Sequence, residues 1–177
     1  ERNECTRENP VKVEVGEGEH EMVGVAGNYG RNYGSGLLTH VRCNNIRIVG
    51  KGKLKTAIHG GFYVNSKQNV KIEQLDVTNV AGDGLICEGS GTNVDVTECC
   101  FKKCQYAGID VRGGAIVTAT RCDFMENGQF GVVCVGANTK VRLNDSTIHH
   151  NGGAGLVAAD HAVVDLHGTK TDIHSNK

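Results

Sequence analysis

The chain has 177 residues, a length that suits one domain. Its 20 acidic and 19 basic residues give a formal charge of −1, which excludes a basic surface for nucleic acid or for an anionic membrane. No run of 18 apolar residues occurs, so a transmembrane helix is excluded as well. Glycine is abundant at 25 residues, proline occurs once and tryptophan is absent, a composition that favours short strands with tight turns and excludes a helical bundle.

The first 34 residues do not share the repeat that fills the rest of the chain. Residues 11–15 alternate between valine and charged side chains, and the glycine-containing residues 16–18 follow, which indicates a strand and a turn. A stack of strands exposes its core and unpaired backbone at an open end, so a repeat protein needs a cap there. We therefore predict that residues 1–34 form an N-terminal cap with a first strand and that residues 35–177 form the repeats.

From residue 36 onward, a glycine followed by an apolar, any, apolar triplet recurs in steps of 23 or 24 residues. The five clear copies begin at Gly61, Gly84, Gly108, Gly131 and Gly155. A weaker copy, residues 36–39, precedes them, and a second alternating stretch follows each copy. Alternation of period 2 that repeats at this spacing predicts short strands stacked on their copies in adjacent repeats. The predicted fold is all-β, a single-stranded parallel β-helix of about six to seven coils.

The alternation also assigns side chains to the inside and the outside of this helix. The predicted inward columns are Phe62, Leu85, Ile109, Val132, Leu156; Val64, Cys87, Val111, Cys134, Ala158; Leu75, Cys99, Cys122, Ser146; and Val77, Phe101, Phe124, Ile148, Ile173. The predicted outward column of the glycine-triplet strand is Leu38, Tyr63, Ile86, Asp110, Val133 and Val157. The leucine-rich repeat has a similar period, but it needs leucine at framework positions where this chain has valine, isoleucine and cysteine.

The last repeat stops within a copy of the pattern, which predicts that the C-terminus is truncated in mid-repeat. Residues 173–177 copy residues 148–152, and no further glycine triplet follows. We expect either further coils of a longer parent chain or a partner that covers this end.

Residues 124–134 and their copy, residues 148–158, resemble the repeat of the right-handed parallel β-helix superfamily, which has an apolar residue, two variable residues, Asn-Gly and then Gly-apolar. The resemblance covers roughly residues 36–177. It is closest to the short-repeat branch found in periplasmic carbohydrate-binding and sugar-hydrolase-like proteins and in certain F-box proteins, and more distant to pectate lyases and polygalacturonases. It implies a right-handed helix, in agreement with the hand of parallel crossovers. One fold carries unrelated functions, so the function stays open.

Three asparagines, Asn127, Asn151 and Asn176, share one column at the turn before the glycine triplet. Asparagine tolerates a left-handed backbone and bonds to its own turn. In the superfamily such a column resembles an internal asparagine ladder, which implies a structural role. Cys104 and Val80 take the place of asparagine in earlier coils, so a ladder would cover only the C-terminal half.

Eight cysteines are present, without the repeated spacing of a zinc site. The columns place Cys87, Cys99, Cys122 and Cys134 inside, where free thiols behave as small apolar side chains. Cys99 and Cys122 lie one coil apart, close enough for a disulfide, so that pairing stays open. So many unpaired thiols favour a reducing compartment, and nothing indicates the location more closely.

Two histidines, His149 and His174, share an outward column and could approach a common metal ion. Two imidazoles without a carboxylate or a third histidine make a poor metal site. We therefore expect no metal and no cofactor.

Charged side chains lie on or beside the outward positions of neighbouring coils, at Asp83, Glu88, Asp110 and Arg112. In the pectin-acting relatives, acidic residues on the outer face of consecutive strands protonate the substrate, abstract a proton from it or activate a water molecule. By this resemblance, Asp83, Asp110 and Arg112 are the candidate catalytic residues. The sequence lacks the Asp-Asp and Gly-His-Gly strings of polygalacturonases, the acidic calcium clusters of pectate lyases and the Asp-Pro-His string of alginate epimerases.

Two functional hypotheses follow. The first is a non-catalytic binding or structural module that presents flat strand faces to a carbohydrate or a protein. Its predicted binding face comprises Tyr63, Glu88, Tyr106, Ile86, Val133 and Val157. The alternative is a small carbohydrate-active enzyme, a lyase, hydrolase or epimerase, for an acidic polysaccharide. The outward column of the glycine-triplet strand, which is apolar except at Asp110, forms an outward apolar stripe. The possible partners are therefore a polysaccharide, a second copy that packs on this stripe, or a missing segment of a parent chain.

Overall fold

The computed structural model describes residues 6, 8–22, 25–26 and 37–177, and within these ranges the chain forms strands and turns without any helix. No helix long and apolar enough to cross a membrane therefore occurs among them. The strands in chain order are β1 (Val11–Glu14), β2 (Gly18–Glu21), β3 (Val25–Ala26), β4 (Leu37–Val41), β5 (Ile46–Val49), β6 (Thr56–His59), β7 (Gly61–Asn65), β8 (Val70–Glu73), β9 (Asp76–Thr78), β10 (Leu85–Glu88), β11 (Asn93–Thr97), β12 (Cys100–Lys102), β13 (Ala107–Arg112), β14 (Ile116–Thr120), β15 (Asp123–Met125), β16 (Phe130–Val135), β17 (Lys140–Asn144), β18 (Thr147–His149), β19 (Leu156–Ala159), β20 (Val163–His167) and β21 (Asp172–His174).

The strands form three sheets that are parallel apart from strand β3, and each coil of the chain contributes one strand to each sheet. Sheet 1 has the order β1-β5-β8-β11-β14-β17-β20, sheet 2 has β2-β6-β9-β12-β15-β18-β21, and sheet 3 has β19-β16-β13-β10-β7-β4-β3. Neighbours in each order belong to successive coils, so the chain winds through about six coils of a β-solenoid. The predicted all-β parallel solenoid is confirmed.

The N-terminal strands extend the stack. Strand β1 pairs in parallel with β5, and β2 pairs in parallel with β6, so residues 11–21 supply the first strands of sheets 1 and 2. In sheet 3 the outermost strand, β3, pairs antiparallel with β4, which departs from the coil pattern. Residues 1–5, 7, 23–24 and 27–34 of the predicted cap lie outside the described residues, and the division at residue 34 stays a prediction.

The inward columns follow the predicted alignment. Leu85 pairs laterally with Phe62 on one side and with Ile109 on the other, and all three are at most 2% exposed. The rings of Phe101 and Phe124 stack with centroids 5.6 Å apart and planes 10° apart, and both side chains are fully buried. Because these side chains are closely packed, replacing one of them with a smaller residue should destabilise the fold.

One predicted alignment was wrong. Leu38 pairs with Gly61, and His40 stands beside Tyr63 where Leu38 was expected. Leu38 is only 4% exposed. A shift of two residues keeps every side chain on the same face, so alternation alone cannot distinguish the two alignments.

The recurring glycine of each triplet is required because successive coils approach closely at that point. A Cβ added at Gly84 would lie 2.7 Å from the carbonyl oxygen of Gly108, one at Gly108 would lie 2.8 Å from that of Gly131, and one at Gly131 would lie 2.6 Å from that of Gly155. Real Cβ atoms essentially never approach backbone so closely. The 23- to 24-residue spacing of glycine is thus a steric consequence of coil stacking.

Hydrogen bonds connect the three asparagines of the shared column. The side-chain amide of Asn127 donates to Oδ1 of Asn151 at 2.9 Å, and that of Asn151 donates to Oδ1 of Asn176 at 2.8 Å. The amides of Asn127 and Asn151 also donate to a carbonyl oxygen of the preceding coil, at Phe101 and Phe124 respectively. The buried amides of this column therefore have hydrogen-bond partners.

Cys99 and Cys122 are free thiols in the structure. Their sulfur atoms lie 3.5 Å from the carbonyl oxygens of Ile72 and Val96, respectively. Burial raises the pKa of both thiols, which makes them unreactive core residues.

Candidate functional site

The outer face of sheet 3 carries most of the residues that the sequence singled out. The lateral pairs run from Tyr63 to Ile86, Asp110, Val133 and Val157 through strands β7, β10, β13, β16 and β19. The ring of His40 joins this column at the first coil, with its centroid 4.9 Å from that of Tyr63. The column is more deeply buried than its outward position suggests, because Ile86 and Val133 are 7% exposed and Asp110 is 2% exposed.

A hydrogen-bonded group lies at the end of this face formed by β7 and β10. The hydroxyl of Tyr63 donates to Oε2 of Glu88 at 2.8 Å, and the side-chain amide of Asn65 donates to the same hydroxyl at 2.9 Å. Glu88 and Asn65 occur side by side in the paired strands. The three side chains therefore fix one another in place.

The ion pair of Asp110 and Arg112 occupies the middle of the face. Nε of Arg112 donates to Oδ1 of Asp110 at 2.5 Å, and Nη2 lies 2.5 Å from Oδ2, so the contact is bidentate. The two residues are separated by one position on β13, which places them on the same face of the strand. Burial raises the pKa of Asp110 to about 8, and the carboxylates of Asp83 and Glu88 contribute to this rise.

Asp83 lies in the turn before β10 and bonds to the next coil. Its Oδ1 accepts a hydrogen bond from the backbone N–H of Ala107 at 2.7 Å, and its Oδ2 is buried without a hydrogen-bond partner. Burial raises the pKa of Asp83 to about 6, and the hydrogen bond from Ala107 only partly opposes this effect. Burial thus holds the pKa of Asp83 well above the ordinary value of an aspartate.

A pocket of about 190 Å³ opens beside the ion pair. It is lined by Asp83, Tyr106, Ala107, Arg112, Gln129, Phe130 and Val133. Gln129 was not among the predicted binding residues. It lies in the turn that leads to β16, outside the alternating stretch, where the sequence pattern gives no information about side-chain direction.

The candidate catalytic residues Asp83, Asp110 and Arg112 do come together, but both carboxylates are buried. Both oxygens of Asp110 are bound by Arg112, and Asp83 is 2% exposed. A general acid or base must lie within hydrogen-bond reach of the substrate proton. The geometry thus favours a fixed polar surface, and the catalytic assignment stays a prediction.

Three histidines cluster on the outer face of sheet 2 near the C-terminus. The rings of His149 and His174 stack at 5.2 Å, and Nδ1 of His149 lies 2.7 Å from Nδ1 of His150. Burial lowers the pKa of His149, and the two neighbouring imidazoles lower it further. Within the part of the chain that the structure describes, no group of three or more histidine, cysteine or acidic side chains is arranged to hold a metal ion.

Comparison with known proteins assigns the fold family. The family described as "Right handed beta helix region" matches residues 32–177. The chain belongs to this family. Among solved structures, the β-helix is similar to the A-module of mannuronan C-5 epimerase AlgE6 from Azotobacter vinelandii, with 13% identity over 94% of this chain and 72% of that chain and a TM-score of 0.33. No curated protein matches the sequence.

Proposed function

We propose that this β-helix is a non-catalytic carbohydrate-binding module and that the outer face of sheet 3 holds the sugar. The supporting observation is the pocket between Tyr106 and Phe130, which lies beside a guanidinium fixed by Asp110. Aromatic rings offer apolar surface to the C–H face of a pyranose, and polar groups that are already held in place bind hydroxyls without a further cost in side-chain entropy.

The size of the pocket limits what can enter it. A volume of about 190 Å³ lies below the range of pockets that enclose whole drug-sized ligands. One sugar residue fits this volume, and the rest of the oligosaccharide then lies on the strand face. Adjacent coils are ~4.8 Å apart, about the length of one pyranose residue, so hydroxyls along the chain meet successive strands in register.

The hydrogen-bonded group of Tyr63, Asn65 and Glu88 extends the polar surface by two coils from the pocket. The three side chains already bond to one another, so a ligand would bind to a surface that is already ordered. Glu88 is exposed, and its carboxylate can accept from sugar hydroxyls. An oligosaccharide of several residues therefore makes more contacts than a monosaccharide does, and affinity should rise with chain length.

The test is calorimetric titration with oligogalacturonate, an alginate oligomer and a neutral β-linked glucan oligomer. We expect at least one ligand to bind, and both Tyr106→Ala and Phe130→Ala to weaken binding at least tenfold, which is about 1.4 kcal/mol. The matched control is Thr118→Ala on the outer face of sheet 1, which should bind like the wild type. Binding that is unaffected by the two pocket variants, or no binding to any of the three, would contradict the proposal.

A second candidate is the small carbohydrate-active enzyme, and it rests on Asp83. A carboxyl with a pKa of about 6 is suited to general acid or base catalysis near neutral pH. Incubation with pectin, polygalacturonate and alginate, followed by analysis of the products, tests it. Activity that is lost in both Asp83→Asn and Asp110→Asn would favour the enzyme, and inert wild-type protein would exclude it for these substrates.

A further inference from the structure

The pocket on the outer face of sheet 3 contains a carboxyl group whose charge the surrounding side chains do not neutralise. Asp83 is one of the residues that line this pocket, and it is 2% exposed. Its Oδ1 accepts the hydrogen bond from the backbone N–H of Ala107, whereas its Oδ2 has no hydrogen-bond partner among the described residues. A buried anion without a cation or a full set of donors carries a cost in free energy. A ligand that brings donors to Oδ2 therefore gains binding energy there.

Arg112 lines the same pocket, but its guanidinium is engaged by another carboxyl group. Its Nε and Nη2 contact the two side-chain oxygens of Asp110. Burial raises the pKa of Asp83, and the opposing effect comes from the N–H of Ala107, with no contribution from a cation in the described part of the chain. The negative charge of Asp83 is therefore left without a counter-charge.

The charge of the groups beside the pocket sums to a negative value in either protonation state of Asp110. Asp83 and Glu88 contribute two carboxylates, and Arg112, the lateral neighbour of Glu88, contributes one guanidinium. Two carboxylates outnumber this guanidinium when Asp110 holds its proton, and three do so when it does not. The carboxylates of Asp83 and Glu88 already raise the pKa of Asp110. The same field attracts a cationic ligand and repels an anionic one.

We propose that the pocket binds a sugar residue that carries an amino group, with the ammonium placed against Asp83. This inference rests on the proposed carbohydrate-binding role of the same pocket and names the class of sugar. An ammonium brings three N–H donors and a positive charge, so it supplies both the hydrogen bond that Oδ2 lacks and the counter-charge. A hydroxyl supplies one donor without a charge, and a carboxylate supplies neither. Tyr106 and Phe130 also line the pocket, and aromatic rings attract a cation that lies over their faces.

Calorimetric titration with β-linked oligomers of equal length tests the proposal. The probes are oligomers of glucosamine, N-acetylglucosamine and glucose, which differ at one carbon by an amine, an acetamide or a hydroxyl, and an oligomer of glucuronate. At pH 6 and low salt, we expect the glucosamine oligomer to bind at least tenfold more tightly than the glucose oligomer and the glucuronate oligomer to bind most weakly.

Two charge-removing variants separate the contact with Asp83 from a general attraction between a cationic oligomer and acidic groups. Asp83→Asn should abolish the preference for the amine, because the new side chain can still accept from Ala107 but carries no charge. The matched control is Asp95→Asn, which removes the same charge from the outer face of sheet 1 and should keep the preference. Far-UV circular dichroism checks that both variants are folded.

Proton release provides a second measurement on the unmodified protein. The pKa of about 6 leaves Asp83 largely protonated at pH 5, and an ammonium favours its ionised form, so binding of the glucosamine oligomer should release about one proton. Titrations in two buffers of different ionisation enthalpy measure this release. The other titratable and charged groups that act on this region are Asp110 and Arg112 on β13, Glu88 on β10 and the thiol of Cys104. The contribution of Asp83 is the part that disappears in Asp83→Asn.

The outcomes separate this inference from the proposed function. Equal affinity for the amine and hydroxyl oligomers, a preference for the amine that survives Asp83→Asn, or binding without proton release would overturn the inference. Tighter binding of the glucose or glucuronate oligomer would also overturn it and would leave the carbohydrate-binding role intact. A wild type that binds no oligosaccharide would overturn both.

Discussion

Replacement of Phe124 by alanine tests the alignment of the core. The Phe124 side chain is fully buried, stacks on Phe101 with centroids 5.6 Å apart and pairs laterally with Ile148. Truncation removes a whole ring from a column in which the coils above and below cannot collapse, because their spacing is set by the strand hydrogen bonds. Phenylalanine-to-alanine changes in such sites cost ~3 to 5 kcal/mol, and loss of a stacked aromatic pair places this one toward the upper end.

The measurement is guanidinium unfolding followed by far-UV circular dichroism, with Thr118→Ala as the control. Thr118 points outward from sheet 1 between Asp95 and Arg142, so its truncation should change the free energy of unfolding by no more than about 0.5 kcal/mol. Equal effects of the two variants would mean that inside and outside are exchanged by a slip of one residue, and the assignment of every column would then be wrong.

Three further results are expected. Gly131→Ala should destabilise the fold by about 1 to 3 kcal/mol, because the added Cβ would meet the backbone of the next coil. Gly16→Ala should be tolerated, because a Cβ there has nothing within 4 Å. Denaturant unfolding measures both variants, and equal stability would refute the steric explanation. The pKa of Asp83 is raised from 3.8 to about 6, so its protonated carboxyl contributes stability that is present below pH 4 and is lost as the pH rises to about 6. The loss is roughly 3 kcal/mol, and Asp83→Asn should remove it from the pH profile of the free energy of unfolding. His149 should titrate below its ordinary pKa by NMR, so that stability falls as the pH drops below 6.5, and His150→Gln should raise that pKa.

The fold could be predicted from the sequence because two independent patterns agree. Alternation assigns the faces of each strand, and the glycine spacing fixes the length of a coil, which together place Leu85 beside Phe62 and Ile109. Alignment failed at Leu38, where the recurring glycine pattern is weakest and a shift of two residues preserves the alternation. A pattern of period 2 carries no information that separates such alignments.

The candidate site was predictable in its members and less so in its geometry. Alternation placed Tyr63, Asp110 and Val133 on one face, as the lateral pairs show. It could not show that Arg112 binds both oxygens of Asp110, because that depends on side-chain conformations, nor that Gln129 lines the pocket, because turns lack a periodic pattern.

Burial on the outer face of sheet 3 bears on which surface could associate with a second copy. The outward apolar stripe was the predicted dimer surface, but Ile86 and Val133 in its middle are only 7% exposed, so association there would remove little further apolar area from water. The hydrophobic contribution to association scales with area that is still accessible, so the stripe itself can contribute little to packing against a second copy.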